Sequence, residues 1–235
     1  MKRRVIVFVA LALVLAPVFI RLGFWQLRRL EERRARNRAL AARLAEPEVA
    51  FEQLRDTTSF RRATVAGTPD YEHEIILTGR SRNGSPGVYI LTPLRRAGRD
   101  SAVVVIRGWV YAPDAASAEL ARWRERRSAF RGYVATLPAT PPATPPSGGG
   151  RKLRTLTAQG VRQLLPYPAA PQYVVSQDSA SSDSVPARIP LPVLDDGPHL
   201  SYAIQWFSFA IIAIVGAGAV VLRAGRQGTD GSTAA

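Results

Sequence analysis

The sequence contains no cysteine and only two histidines among its 235 residues. Without cysteine there is no disulfide, no iron–sulfur ligation and no thiol nucleophile, and this absence is compatible with any redox compartment. His73 and His199 alone argue against a two-histidine zinc site, because structural zinc needs four ligands from the protein. The sequence also lacks a nucleophile paired with a base, a glycine-rich phosphate loop and a carboxylate pair in a suitable context. We therefore expect a protein that is not an enzyme.

Acidic residues are scarce as well: 18 Asp and Glu accompany 32 Lys and Arg, which gives a formal net charge of +14. In a soluble protein this excess would indicate nucleic-acid binding, but no zinc, helix-turn-helix or RNA-binding motif accompanies it. Basic residues beside a membrane span commonly contact lipid phosphates or an acidic partner. We therefore expect membrane lipids, and no nucleic acid, among the partners. Many of the basic residues crowd just after the first apolar run: Arg28, Arg29, Arg33, Arg34, Arg36 and Arg38.

Two long apolar runs lie at the ends of the chain. Residues 5–20 and 202–222 contain no charge, and about 20 apolar residues in a helix match a hydrocarbon core of about 30 Å. Both runs predict transmembrane helices. A cleaved signal peptide is the alternative for the first run, but no small-x-small cleavage site follows and apolar residues resume after Arg21.

Between the two runs the pattern changes from helical to strand-like. Residues 28–45 lack Gly and Pro and predict a helix that continues out of the membrane and ends before Pro47. Short apolar runs separated by glycines predict strands between residues 64 and 110, and further strands at 133–137 and 172–176. Asp114 predicts the start of a helix that runs to Arg127. We expect residues 138–150, PATPPATPPSGGG, to form a flexible loop.

These patterns predict a membrane hairpin of two transmembrane helices flanking an α+β extramembrane domain, mainly antiparallel β, as a small barrel or sandwich. The expected organisation is an N-terminal tail and first transmembrane helix over 1–27, a β-rich domain over 28–200, a second transmembrane helix over 201–222 and a tail over 223–235. The basic flank of the domain favours the cytoplasm by the positive-inside rule. Trp25 and Trp206 are expected at the interface on the domain side, and they do not decide which face of the membrane the domain occupies.

The sharpest local motif is DDGPHLSYAIQWF, residues 195–207, at the entry into the second span. On a helix His199, Tyr202 and Trp206 fall near one face with Phe209, while Gln205 takes an amide into the bilayer. A neutral imidazole can ligate haem iron, and a flat macrocycle needs an apolar, aromatic wall beside it. The alternative is that His199 and Tyr202 are interfacial anchors and that Gln205 hydrogen-bonds the neighbouring helix.

A second motif, LGFWQLRR, ends the first span at residues 22–29. Gly23 would let another helix approach closely, and Gln26 could meet Gln205 or Tyr202 across the hairpin. The alternative is a plain aromatic belt around Trp25 with basic stop residues.

A third motif, residues 107–110, ends a strong strand. Gly108 suits a bulge or a close backbone approach, and Arg107 could pair with an acid in the domain. We favour a structural role for this motif.

Five segments along nearly the whole chain resemble the Surfeit-locus (Surf-one, or Shy) family of cytochrome c oxidase assembly proteins. They are LGFWQLRRLEER (22–33), GTPDYEHEIILTGR (67–80), PGVYILTPL (86–94), VVIRGWV (104–110) and DGPHLSYAIQWFSFA (196–210). The resemblance implies a cell-membrane protein that spans the membrane twice, with an extracytoplasmic domain and cytoplasmic termini. A long loop can cross the membrane despite its charge, so this topology is compatible with the basic flank.

The resemblance also implies a function. Members of the family assist haem a binding or insertion into the catalytic subunit of haem–copper cytochrome c oxidase, and their second-span histidine, the proposed ligand of the haem iron, corresponds to His199. Trp206 and Phe207 match the neighbouring aromatic pair, and Trp25 and Gln26 match the first-span motif. We thus expect haem a, bound transiently, as cofactor, and Tyr202 and Gln205 beside it. Gly197-Pro198 departs from the family pattern, which has a polar residue just before the histidine.

The predicted function is therefore that of an oxidase assembly chaperone. Its expected partners are the catalytic subunit of cytochrome c oxidase, membrane lipids and haem a synthase. The alternative is a membrane scaffold that stabilises an oxidase subunit during assembly without a cofactor of its own.

Overall fold

The structure, a computed structural model, describes residues 3–55, 59–139, 150–178 and 186–229, with side chains up to residue 226. The chain divides into two compact units, residues 1–39 together with 193–235, and residues 40–192. Three α-helices are present in the described ranges: α1 (Arg3–Ala45), α2 (Ala158–Leu164) and α3 (His199–Thr229). The domain boundaries predicted above were drawn from hydropathy, whereas these two units are defined by contacts within the fold. The predicted boundaries therefore stay predictions.

The first unit consists mainly of α1 and α3. Helix α1 is continuous from the apolar run through the arginine-rich segment, with Pro17 inside it, so the predicted extension over residues 28–45 is confirmed. Small residues dominate the buried positions of both helices and recur at intervals of four or seven, as expected for a helix–helix contact seam. These buried positions are Ala12, Ala16, Gly23 and Leu30 in α1, and Ala203, Ala210 and Ala217 in α3.

The two helices pack antiparallel. Gln26 of α1 contacts His199 at the start of α3, and Phe19, two turns earlier in α1, contacts Trp206. Near the other end, Ala12 and Ala217 line one shared apolar cleft. Within this unit the contacts therefore run in opposite directions along the two helices, and the predicted hairpin across a membrane stays a prediction.

Both helices contain a stretch that is long and apolar enough to cross a bilayer, within Arg3–Ala45 and His199–Arg226. Large apolar side chains face outward along both stretches, including Leu13 at 67% and Ile212 at 66% exposure. Contiguous apolar surface of this kind is rarely left to water in a soluble monomer. This pattern supports association with a membrane.

The second unit is built on one mixed β-sheet. Its strands in the described ranges are β1 (Val49–Ala50), β2 (Arg62–Ala66), β3 (Thr68–Pro69), β4 (Ile75–Arg82), β5 (Ser85–Arg95), β6 (Ala102–Tyr111), β7 (Ala129–Thr136), β8 (Lys152–Leu153) and β9 (Ala169–Ser176). The strand order is β1-β2-β7-β9-β6-β5-β4-β8, with β3 paired to β5. All strands predicted between residues 64 and 176 have a counterpart in this sheet.

The sheet is mixed: five of its eight described pairings are antiparallel, and three, β1–β2, β4–β8 and β6–β9, are parallel. The β6–β9 pairing places a continuous apolar strand in the middle of the sheet, where both of its faces are covered. Strands β1 and β8 end the strand order, and no pairing joins them within the described ranges. The predicted closure into a barrel or sandwich is thus not confirmed.

The core of this unit lies on both faces of the sheet. Along β6, Val104 and Ile106 pack into one apolar cluster and Val103 and Val105 into another, as the alternation of side chains along a strand requires. Helix α2, which the sequence analysis did not predict, covers the first cluster with Val161.

The helix predicted from Asp114 to Arg127 is wrong. Asp114 does accept hydrogen bonds from the N–H groups of Ala116 and Ser117, but only a short 3₁₀ helix follows, at Leu120–Trp123. Residues beyond it are drawn into a buried ion-pair network, so tertiary contacts override the local helix signal. Most of the predicted flexible loop, residues 140–149, lies outside the described residues.

Candidate functional site

The candidate site lies where α3 begins beside α1. His199 is the first residue of α3, and its Nδ1 is 2.9 Å from Oε1 of Gln26. An amide oxygen only accepts hydrogen bonds, so Nδ1 donates and the lone pair of the neutral ring is on Nε2. Nε2 has no hydrogen-bond partner in the described part of the chain. Gln26 therefore orients the half-buried imidazole through Nδ1 and leaves Nε2 unbonded among the described residues.

Gln26 was predicted to meet Gln205 or Tyr202, and it contacts His199 instead. The side chains of Gln205 and Tyr202 are exposed on the outer surface of the helix pair. Tyr202 nevertheless lies within one helical turn of His199, as the helical spacing predicted.

The aromatic residues of the site form a connected group across the two helices. Trp206 stacks on Phe19 of α1, with ring centroids 5.7 Å apart, and it meets Phe209 edge-on at 5.9 Å. Trp25, by contrast, is 47% exposed. Trp206 thus packs against α1 while Trp25 faces outward, and the aromatic wall predicted from Tyr202 and Trp206 stays a prediction.

Gly23 permits the close approach of the helices. A Cβ atom at this position would lie 2.6 Å from Cε1 of Phe207, closer than two carbon atoms can pack. Phe207 in turn meets Phe24 edge-on at 5.3 Å. The prediction that Gly23 allows a neighbouring helix to approach is confirmed.

A set of polar contacts that the sequence analysis missed lies just before His199. Arg33 and Arg34 of α1 form ion pairs with Asp195 and Asp196, at 2.8 Å each, and Asn37 donates to the backbone oxygen of Asp195 at 2.7 Å. We call these five residues the arginine clamp. The residues for such ion pairs were visible in the sequence, since two consecutive acids precede a Gly-Pro turn in a chain rich in arginine. No local sequence rule, however, predicts that segments so far apart in the chain will pair.

The sheet unit contains a separate charge network, which is buried at its centre around Arg107. This residue is the bulge between the pairs Ile90–Gly108 and Leu91–Ile106, and its guanidinium donates to Glu74 at 2.5 Å and also pairs with Glu125 at 3.4 Å. The acidic partner predicted for Arg107 is confirmed, and the bulge predicted at Gly108 is present with the neighbouring Arg107 as its extra residue.

The network has further members. Arg127 and Arg188 both pair with Glu125, at 3.0 and 2.8 Å. Burial raises the pKa of Glu74, in spite of the opposing effect of Arg107 and Thr92. Every charged group of the network has an ion-pair partner, although Oε2 of Glu74 is buried without a hydrogen-bond partner in the described part of the chain. We favour a structural role for the network.

The other histidine, His73, lies in a small polar cluster of the same unit. Oδ2 of Asp70 is 2.8 Å from His73 Nδ1 and accepts a hydrogen bond of 2.6 Å from the Tyr167 hydroxyl. Burial opposes the ionisation of Asp70, but these hydrogen bonds outweigh it and lower the pKa of its carboxyl. His73 thus has a carboxylate partner, whereas His199 has a neutral one.

Among the described residues, neither histidine has a set of protein ligands around it that could form a metal centre. No group of three or more His, Asp or Glu side chains in the described ranges could hold a metal ion. Any metal at His199 would therefore need its other ligands from outside the described chain.

The two long apolar helices support association of the protein with a membrane. The profile of the SURF1 family matches residues 13–211, which cover the helices and the sheet alike, and the chain belongs to this family.

Two relatives cover most of the chain. A SURF1-like protein of Rickettsia felis is 26% identical over 211 residues, 86% of this chain and 92% of its own length. A SURF1-like protein of Rickettsia conorii is 25% identical over 223 residues, 92% of this chain and 89% of its own length. The resemblance drawn from the five motifs is thereby confirmed.

Proposed function

We propose that this protein is an assembly factor for haem–copper cytochrome c oxidase, which assists haem a binding or insertion into the catalytic subunit. Family membership supports the assembly role. The observation that supports haem handling is the hydrogen bond from His199 Nδ1 to Gln26 Oε1. A ligand histidine commonly donates its other ring N–H to a neighbouring acceptor, which fixes the tautomer and aims the remaining lone pair.

The chemistry of the donor set fits a haem better than a free metal ion. The site offers one imidazole and no cluster of carboxylates among the described residues. A macrocycle brings four nitrogen ligands of its own and needs only one or two from the protein. When bound, haem a would supply the iron, and His199 would hold it through Nε2.

The remaining site residues would bind the macrocycle and not the iron. Helical spacing places Tyr202 and Trp206 near the face of α3 that bears His199, and Trp25 is an exposed indole on α1. Gln205, also exposed, could donate an amide N–H to a haem substituent. Such a site, open on its outer side, suits a protein that receives a cofactor and passes it on.

The proposed location is the cytoplasmic membrane, with two spans, both termini in the cytoplasm and the sheet unit outside. In this topology His199 would lie near the extracytoplasmic interface of the membrane. The partners would be the catalytic subunit of the oxidase, surrounding lipids and haem a synthase as the donor of the cofactor.

Absorption spectra of the detergent-purified full chain test the haem role. The chain would be produced together with a haem a synthesis pathway, as wild type, His199→Ala and His73→Ala. We expect a Soret band in the wild type that is lost or shifted in His199→Ala and kept in His73→Ala, which changes the only other histidine. Equal bands in all three proteins would contradict the assignment of His199.

Co-purification distinguishes the haem role from the scaffold alternative. If neither wild type nor His199→Ala carries haem, yet both retain the catalytic subunit of the oxidase, the protein is a scaffold and His199 an interfacial anchor. The topology is tested with single cysteines in this cysteine-free chain. On intact cells a membrane-impermeant maleimide should label Arg82→Cys in the sheet unit and not Ser232→Cys in the C-terminal tail; the reverse pattern would contradict the topology.

A further inference from the structure

We propose that Arg33 and Asp195 are positioning residues for His199, which hold the first residue of α3 at a fixed place on α1. The inference rests on the proposed function for its consequence, since it assigns these residues to the site where His199 would bind haem iron. The positioning itself needs no cofactor.

The guanidinium of Arg33 contacts Asp195 at two points. Nε donates to the backbone oxygen and Nη2 to Oδ1 of the carboxylate, each at 2.8 Å. Two bonds from a planar fork fix both the position and the orientation of the residue that they hold. Arg34 contacts only the side chain of Asp196. Arg33 is thus the member of the clamp that holds the backbone together with a side chain.

The same carboxylate shapes the turn into α3. Oδ1 of Asp195 accepts the N–H of Gly197 at 2.8 Å, and Gly197 has φ +66°, a conformation that favours glycine. Pro198 follows, and His199 then begins the helix. One oxygen atom therefore links the Arg33 fork to the turn that sets the direction of the imidazole.

We expect loss of the arginine clamp to affect the start of α3 and not the folding of the whole helix pair. The side chains of Arg33 and Asp195 are 39% and 53% exposed, and exposed ion pairs add little to global stability. The seam of small residues in α1 and α3 would keep the helices together without the clamp. Loss of the clamp should therefore leave the helix pair folded and the start of α3 less well positioned.

Arg29 provides a matched control. It lies one turn before Arg33 on α1 and pairs only with Glu32 of its own helix, at 2.7 Å. Arg29→Ala removes the same charge from the same surface without releasing α3. Asp195→Asn is a second control, because it removes the charge but keeps an oxygen that can accept from Gly197 and Arg33.

Distances between spin labels test the positioning without haem. Cysteines introduced at the exposed positions Arg28 and Leu200 would be the only two in the chain. Pulsed electron paramagnetic resonance then measures the distance between nitroxide labels on these two cysteines, which reports the position of the start of α3 on α1. We expect a narrow distance distribution in the reporter protein, in its Arg29→Ala form and in its Asp195→Asn form, and a broader one with Arg33→Ala or Asp195→Ala. An unchanged distribution in Arg33→Ala overturns the inference.

Haem titration of the full-length variants then tests the consequence. Arg33→Ala should weaken haem binding by about fivefold, the order expected for the loss of an exposed ion pair, while Arg29→Ala binds as the wild type does. Equal affinities for Arg33→Ala and wild type would overturn the role of the pair at the site. If the wild type binds no haem and the distances still broaden, the proposed function fails and the positioning of His199 by Arg33 is supported.

Discussion

His199 and Gln26, the first residue of α3 and a residue of α1, are joined by a hydrogen bond of 2.9 Å between Nδ1 and Oε1. The bond connects the two motifs that the sequence marked separately at the ends of the predicted spans. It also makes a chemical distinction, since it leaves Nε2 as the only nitrogen of the neutral ring that can bind a metal.

Removal of the Gln26 acceptor should weaken haem binding while His199 stays in place. Loss of such an outer partner typically costs about 10- to 100-fold in metal affinity, and we expect the lower end for Gln26→Ala at this half-buried position. Gln26→Glu keeps an acceptor at the same reach and should bind more tightly than Gln26→Ala. Optical titration measures both, and equal affinities for Gln26→Ala and wild type would contradict a role of this bond.

Gly23 should not tolerate a methyl group. Its Cβ would lie 2.6 Å from the Phe207 ring, and forced overpacking costs about 1–3 kcal/mol. Gly23→Ala should therefore lower the thermal stability of the helix pair in detergent, and the double variant Gly23→Ala/Phe207→Leu should recover part of the loss. Gly218→Ala is the control, because nothing lies within 4 Å of its Cβ position. Equal losses in Gly23→Ala and Gly218→Ala would mean that helix contact at Gly23 is not close.

The elements of this fold were predictable where the signal is local. The arginine-rich extension of α1 lacks helix breakers up to Pro47, and each predicted strand is an apolar run between turn residues. The parallel pairing of β6 with β9 was not predictable. Strand β7 and helix α2 lie between them in the chain, and the sequence of neither strand specifies which strand it pairs with. The helix predicted after Asp114 was wrong although Asp114 does accept hydrogen bonds from the following N–H groups. The ion pair of Glu125 with Arg107 places this segment against the core in a conformation that is not α-helical.

The same limit applies to the candidate site. His199, Gln26 and Gly23 were each singled out by residue type and position at a predicted span. Their arrangement depends on how α1 packs against α3, which no local sequence pattern gives, and so the observed partner of Gln26 differs from the predicted ones. The clamp between Arg33 and Asp195 was missed for the same reason.

Truncation of Arg107 should destabilise the sheet unit strongly. The side chain is fully buried, and Arg107→Met would leave Glu74 and part of Glu125 without their cation, a loss of about 3–5 kcal/mol for a broken buried ion pair. Arg82→Met, at an exposed position of β4, should have almost no effect. Chemical denaturation of the full chain, followed by tryptophan fluorescence, measures both changes. Equal midpoints for the two variants would contradict the structural role of the network.

Glu74 should make the stability of the sheet unit depend on pH. Burial raises the pKa of its carboxyl above the ordinary value of 4.5. The folded state therefore binds this proton more tightly than the unfolded state does. The resulting stabilisation is fully present below pH 4.5, and it is lost as pH rises through the folded pKa. Asp70 and Asp114 act in the opposite sense and at lower pH, because their pKa values fall below 3.8 in the folded protein.

Glu74→Gln isolates this effect. The amide keeps an oxygen that can accept from Arg107 and Thr92 but cannot ionise. Between pH 4.5 and neutrality the free energy of unfolding should fall less in Glu74→Gln than in wild type. Glu52→Gln, at a glutamate whose side chain is 42% exposed, should follow the wild type. Denaturant unfolding of the full chain at a series of pH values measures the difference, and parallel pH profiles for Glu74→Gln and wild type would mean that Glu74 does not titrate in this window.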